Sequence, residues 1–246
     1  MLHGRASLRP ADVAFTFTDY AADPAGVSEI LTWSQLSRRT LNVARELSSY
    51  ASVGDRAVIL APQSLDYVAA FLGSMQAGLI AVPLPLPHRG SSDERVSAVL
   101  TDTTPTVVIT TSANAEDIAE YVDQARLDAV PKIVEIDAMK LDADDGPGIS
   151  IAELPSTAYL QYSSGSTRLP TGVMISHRNL QVNFEQLMRS LFSDANVNSS
   201  TDLAIVSWLP FYHDMGLVLG ICAPILGGYH AELMSPVAFL ERPARW

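Results

Sequence analysis

Six consecutive positions bring together four hydroxyls, a glycine and a cation: Ser163, Ser164, Gly165, Ser166, Thr167 and Arg168. Thr171 and Gly172 follow within four residues. That set suits a polyphosphate. Glycine lets the backbone approach an anion, successive N–H groups can converge into a concave nest, and hydroxyls add donors without bulk. It is not a Walker A loop, because no Gly-Lys-Ser/Thr follows at the required spacing. On composition alone an ordinary polar hairpin loop stays open as the alternative, since Ser, Gly, Thr and Pro are common turn residues.

The flanking residues must position this loop. Ala158 to Tyr162 alternates and reads as a strand, and Val173-Met174-Ile175 reads as a second, so the loop enters a strand and not a helix. A second constellation lies downstream, Trp208-Leu-Pro-Phe-Tyr-His-Asp-Met-Gly216. A His and an Asp beside three aromatics at a strand end are costly to place for packing alone. A hydrogen-bonded, half-buried His213 is the alternative there. His177 opens a helix, where an imidazole caps the turn or faces solvent. Cys222 sits in the apolar run Leu217–Leu226 and reads as core, with a reactive thiol as the alternative. The five His residues are scattered and the single Cys has no partner, so no metal-ligand spacing is found.

The order Tyr162-Ser-Ser-Gly-Ser-Thr-x-x-Pro-x-Gly-Val173, followed by Ser176-His-Arg-Asn179, closely resembles the phosphate-binding motif of adenylate-forming enzymes. These are the superfamily of acyl-CoA synthetases, luciferases and peptide-synthetase adenylation domains. Arg168 stands where most acyl-CoA synthetases have Gly, and Thr171 where they have Lys. An Arg after the Ser-Thr pair with no later Lys resembles the fatty-acyl-AMP ligase branch, whose mycobacterial members feed polyketide synthases. The resemblance runs along essentially the whole chain and includes Leu31-Thr-Trp-Ser-Gln-Leu36 and Ser207–Leu217.

The resemblance implies ATP and Mg2+ as cofactors, a long-chain fatty acid as substrate, and an acyl-carrier protein or polyketide synthase as partner. It implies that Ser163 to Arg168, Thr171 and Gly172 bind the nucleotide phosphates, with Arg168 and His213 catalytic. Trp208, Phe211, Tyr212, His213, Met215 and Gly216 would begin the substrate pocket, and Leu217, Val218 and Ile221 would continue its apolar lining. Members of the family are more than twice as long, and no Tyr-Gly-x-x-Glu adenine segment, Thr-Gly-Asp region or C-terminal Lys is found here. The expectation is the N-terminal part of a fatty-acyl-AMP ligase, without turnover by itself. The alternatives are a truncated, non-catalytic fragment acting as a weak nucleotide-binding or interaction module, and a fatty-acid–CoA ligase, which Arg168 and Thr171 disfavour.

Composition bounds the rest. With 48% hydrophobic and 17% charged residues in 246, the chain can build a full core. A formal charge of −11 and the lack of any basic run argue against a nucleic-acid surface. No stretch reaches the roughly 18 uninterrupted apolar residues of a membrane span, and the N-terminus has no signal-like apolar region. A cytoplasmic setting is expected.

Strands expected at 15–19, 57–60, 79–82, 107–110, 133–136, 158–162, 173–175, 202–207 and 231–233 are separated mostly by helices, including 32–49, 65–76, 93–100, 115–126 and one from Ser176. This predicts an α/β fold with mostly parallel sheets layered with helices. The helix after Thr32 shows one apolar face, Leu36, Thr40, Val43, Ala44 and Leu47. Asp142 to Gly148 is acidic and Gly/Pro-rich and is the expected boundary. Residues 1–150 would form a first subdomain, and 151–246 the start of a second that carries the phosphate loop. Val237 to Trp246 reads as the start of a helix that runs off the end.

Overall fold

A computed structural model of the chain describes residues 1–87, 94–144, 149, 154–162, 170–192 and 203–246. The first elements are α1 (Leu2–Leu8), β1 (Val13–Asp19), β2 (Val27–Thr32), α2 (Trp33–Ser48), β3 (Arg56–Ile59), α3 (Leu65–Gln76) and β4 (Ile80–Pro83). Then come α4 (Glu94–Thr103), β5 (Val107–Thr110), α5 (Ala115–Gln124), β6 (Lys132–Glu135), β7 (Thr157–Tyr162), β8 (Gly172–Ser176) and α6 (His177–Phe192). The last are β9 (Ala204–Ser207), α7 (Asp214–Leu217), α8 (Ala223–Gly227), β10 (His230–Met234) and α9 (Pro236–Glu241). They form two compact units, each discontinuous in sequence. One comprises Met1–Ser37, Gln63–Leu65 and His177–Trp246, the other Arg38–Pro62 and Asp66–Ser176.

In the second unit six strands lie in the order β6-β5-β3-β4-β7-β8. All neighbours are parallel except β8, which runs antiparallel to β7. Helical crossovers between successive strands dictate the parallel pairs, and the short return after β7 allows the antiparallel one. Val58, Leu60, Val82 and Val108 of the sheet region pack with Val96, Val99 and Leu100 of α4 and Ile118, Tyr121 and Val122 of α5. Phe71 of α3 meets Tyr159 of β7 edge-on, with ring centroids 5.7 Å apart.

Helix α2 starts where the sequence places it. Thr32 Oγ1 accepts from the Gln35 backbone N–H at 3.3 Å while Gln35 Oε1 accepts from the Thr32 N–H at 2.8 Å, a reciprocal capping box. The five residues of its expected apolar face are all buried. On its other side Arg39 grips Asp142 with a two-pronged fork at 2.9 and 3.0 Å and reaches Asp66 at 3.1 Å. The start of the acidic segment is therefore tied to the helix; residues 145–148 lie outside the described ones.

In the first unit four strands lie in the order β2-β1-β10-β9. Strand β10 runs parallel to both β1 and β9, with Phe15 opposite Ala231 and Thr18 opposite Met234. Strand β2, antiparallel to β1, is an edge strand with its first four residues exposed. Helix α1 is anchored by two cations. Arg5 donates to the Leu226 carbonyl at 2.8 Å and Arg9 to the Gly228 carbonyl at 3.0 Å, which satisfies acceptors left over where α8 ends.

The expected α/β fold with mostly parallel sheets is borne out. One detail differs. The C-terminal segment does not run off as a helix: α9 ends at Glu241, and Pro243–Arg245 forms a separate 3-10 turn. Pro243 disfavours helical geometry in the residue before it, and Arg242 is accordingly non-helical, with φ −151° and ψ 87°.

Candidate functional site

The two strands expected to hold the phosphate loop form a hairpin. Tyr159 lies opposite Ile175, Leu160 opposite Met174, Gln161 opposite Val173 and Tyr162 opposite Gly172. Residues 163–171 therefore connect the last pair. Ser163, Ser164, Gly165, Ser166, Thr167 and Arg168 lie outside the described residues; Thr171 is exposed and Gly172 half-buried. Gly172 is there because of its neighbour. A Cβ at this position would come within 2.8 Å of Tyr162 Cζ and 2.9 Å of its Oη, so the Tyr162 ring occupies the space a larger residue needs.

The Trp208–Gly216 segment leaves the end of β9 and turns into α7. Ser207 Oγ accepts from the Leu209 N–H at 3.2 Å, and Gln63 Nε2 donates to the Leu209 carbonyl at 3.2 Å. The His213 N–H donates to the Pro210 carbonyl at 3.1 Å, and the His213 carbonyl accepts the first helical bond from Leu217 at 2.8 Å. His213 is thus the extended residue just before the helix. Its Nδ1 lies 2.5 Å from Asp214 Oδ1, and the same oxygen accepts from the Met215 N–H at 2.7 Å. Both side chains are more than half exposed, at 61% and 63%. An imidazole whose Nδ1 is held by a carboxylate presents Nε2 in a fixed direction.

The other expected pocket residues separate into three groups. Phe211 is buried, edge-on to Phe17 with centroids 6.4 Å apart, and Gly216, Leu217 and Ile221 are buried as well. Trp208 stacks flat on Phe239, 4.0 Å between centroids at an interplanar angle of 4°. Tyr212 and Met215 are exposed beside His213 and Asp214, and Val218 is half-buried. Val218–Cys222 is a π-helical turn between α7 and α8, a wide turn that often marks functional segments. Sequence reasoning gave no sign of Phe239 as the partner of Trp208, or of Gln63 at the turn.

The AMP-binding enzyme family matches residues 2–246. This chain belongs to that family. A Mycobacterium leprae relative bearing the name fatty-acid–CoA ligase fadD21 is 63% identical over 245 residues. The long-chain-fatty-acid–AMP ligase FadD28 of Mycobacterium tuberculosis (strain ATCC 25618 / H37Rv) is 58% identical over 245 residues. Each match takes in all of this chain and 42% of the relative. A solved fatty acyl-adenylate ligase from L. pneumophila, in complex with acyl adenylate and pyrophosphate, superimposes with a TM-score of 0.81 at 31% identity, over 100% of this chain and 40% of that one. The chain thus spans about two fifths of the length of these relatives.

Within this member of the AMP-binding enzyme family the remaining candidates are quiet. Burial holds the half-buried His177 imidazole below its ordinary pKa. His230, in β10, bonds Thr16 Oγ1 at 2.9 Å and lies 3.3 Å from Glu232. Among the described residues no group of three or more His, Cys, Asp or Glu could hold a metal ion, and no helix is long and apolar enough to cross a membrane.

Cys222 is buried, and burial pushes its thiol up to about 12. The thiolate is the reactive form, so this Cys is inert in the folded chain, and the core reading stands over the reactive one. A raised folded-state pKa gives stability that is complete below the unfolded value and lost as pH rises from about 9 to about 12. At about 1.4 kcal/mol per unit, the wild type should lose about 1.4 kcal/mol more than Cys222→Ala between pH 8 and pH 10. Urea unfolding at the two pH values checks it, and equal losses would show that the thiol ionises freely in the fold.

Proposed function

We propose that this chain is part of a fatty-acyl-AMP ligase. A carboxylate oxygen of a long-chain fatty acid attacks the α-phosphorus of ATP. The Pα–O bond to the pyrophosphate breaks, giving acyl-adenylate and pyrophosphate. The reading is supported most directly by the hairpin register: Tyr162 pairs with Gly172, so the hydroxyls, Gly165 and Arg168 belong to one connection between antiparallel strands.

A carboxylate needs no general base to act as a nucleophile. The work left to the protein is alignment and the neutralisation of phosphate charge. Backbone N–H groups, hydroxyls and the Arg168 guanidinium are donors that suit phosphate oxygens, and they include no carboxylate for a metal. Mg2+ would therefore arrive with the nucleotide and supply charge neutralisation. His213, with its Nδ1–H given to Asp214, donates from Nε2 to substrate oxygen only as the imidazolium, and the exposed Tyr212 and Met215 beside it meet the acyl end. The pantetheine thiol of an acyl-carrier protein or polyketide synthase then attacks the acyl carbon, the bond to the phosphate oxygen breaks and AMP leaves, in the cytoplasm. A second reading, transfer to CoA, is favoured by the name that fadD21 carries; Arg168 and Thr171 favour the first.

Calorimetric titration of the 246-residue chain tests the nucleotide half. Mg-ATP should bind at about the millimolar level, worth about 4 kcal/mol, because one part of a site neither buries the base nor encloses the phosphates. Inorganic pyrophosphate should compete and adenosine should not. Failure of pyrophosphate to compete would remove the phosphate assignment. Joining the chain to the remaining length of FadD28 and supplying fatty acid with either CoA or a pantetheinylated carrier decides the acceptor.

A further inference from the structure

We propose that Tyr162 and Asp102 are positioning residues for phosphate binding, acting through the base of the hairpin; this rests on the function proposed above. Tyr162 is the last residue of β7, and its partner Gly172 is the first of β8. The chain leaves and re-enters the sheet through this one pair. The Tyr162 ring covers Gly172 closely enough that a Cβ there would have to push the ring aside. Its Oη donates to Asp102 Oδ2 at 2.5 Å, a contact between residues sixty positions apart.

Asp102 is itself held still. It lies in the last turn of α4, whose end is gripped by Arg56 of β3. Arg56 Nε donates to the Thr103 carbonyl at 2.7 Å, and Nη2 to the Thr104 carbonyl at 3.0 Å and Oγ1 at 2.9 Å. Thr103 Oγ1 donates to the Val99 carbonyl at 2.7 Å. Leu160 and Tyr162 pack against the cluster that contains Val96, Val99 and Leu100 of the same helix. Burial first, and then the bond to Asp102, raise the Tyr162 phenol well above its ordinary pKa, so it remains a donor. A ligand site built on backbone donors needs its supports fixed to a fraction of an ångström. The Asp102–Tyr162–Gly172 stack supplies that by linking the hairpin base to α4 and the central sheet.

The test uses the whole chain, four single variants (Tyr162→Phe, Asp102→Ala, Gly172→Ala and Asp102→Asn) and one double variant. Hydrogen exchange at the amides of 172–174, without nucleotide, reads the hairpin base. Titration with Mg-pyrophosphate reads binding. Tyr162→Phe, Asp102→Ala and Gly172→Ala should each speed exchange and weaken binding by about three- to tenfold, the range of one net hydrogen bond. Asp102→Asn keeps an acceptor oxygen and should stay within about twofold of wild type. The Asp102→Ala, Tyr162→Phe double variant should lose no more than either single one. Unchanged exchange, or Asp102→Asn failing as badly as Asp102→Ala with a lowered unfolding midpoint, overturns the proposal in favour of a packing contact. Wild-type binding that the variants leave intact overturns the positioning alone and leaves the proposed function standing. A wild type that binds no pyrophosphate removes both.

Discussion

Gly216→Ala should destabilise the chain by about 3 kcal/mol, the upper end of what added bulk costs in a packed interior. A Cβ at this position would stand 2.0 Å from the Pro210 carbonyl oxygen, 2.7 Å from its carbon and 3.0 Å from the Leu209 carbon. All three are backbone atoms, so no side chain can swing aside to relieve the clash. Moving them pulls on the Leu209 carbonyl, which Gln63 holds, and on the Pro210 carbonyl, which accepts from His213. The Trp208–Phe239 stack begins two residues before Pro210, so the same strain should change the tryptophan signal. Urea unfolding and near-ultraviolet circular dichroism measure the two effects. A loss under about 1 kcal/mol with an unchanged aromatic spectrum would mean that α7 slides away from Pro210 at little cost.

That glycine was legible in the sequence only as one letter of a motif, and the contrast with other elements explains why. Helix α2 could be read in full because everything that specifies it is local: the Thr32–Gln35 box and the stripe Leu36, Thr40, Val43, Ala44, Leu47 all lie within sixteen residues. Strand β2 left no such trace. Val27, Ser28, Glu29 and Ile30 are all exposed, so no alternation between core and solvent marks this edge. The short helix α1 has no buried residue and depends on Arg5 and Arg9 reaching carbonyls more than two hundred positions away. The pairing of β1 with β10 is equally non-local, and nothing in either strand names the other. At the end of α9 the signal was present, in Pro243 after Arg242, and it outweighs the apolar run before it.

The site divides along the same line. Alternation before the loop and a β-branched run after it marked the two strands that pair as the hairpin, while the Trp208–Gly216 segment stood out by its His and Asp beside three aromatics. Periodicity did not separate lining from core. Leu217 and Ile221 are buried as any apolar helical face would be, while Tyr212 and Met215 on the same stretch are exposed. The bond from Tyr162 to Asp102 was out of reach, since an Asp in the last turn of a helix is unremarkable until the fold brings a phenol to it.

Arg168→Ala should lower adenylation efficiency by about ten- to a hundredfold. The loop holds one cation in a chain of formal charge −11, so the local positive potential a polyphosphate needs rests on few groups. A hydrogen bond to a charged group is worth about 1.5–3 kcal/mol, and about 1.4 kcal/mol is a factor of ten in rate. The guanidinium offers two parallel N–H donors to phosphate oxygens, whereas an ammonium acts as a point charge. Arg168→Lys should therefore recover only part of the loss, and mostly the part due to charge. The readout is fatty-acid-dependent ATP–pyrophosphate exchange in this chain joined to the remaining length of FadD28. Compared at saturating and limiting ATP, it separates binding from the chemical step. A fall in the rate at saturation places the Arg168 contact in the transition state, and a fall only at limiting ATP places it in nucleotide binding. Unchanged exchange in both regimes would show that Arg168 points to solvent, and that hydroxyls and backbone N–H groups hold the phosphates without it.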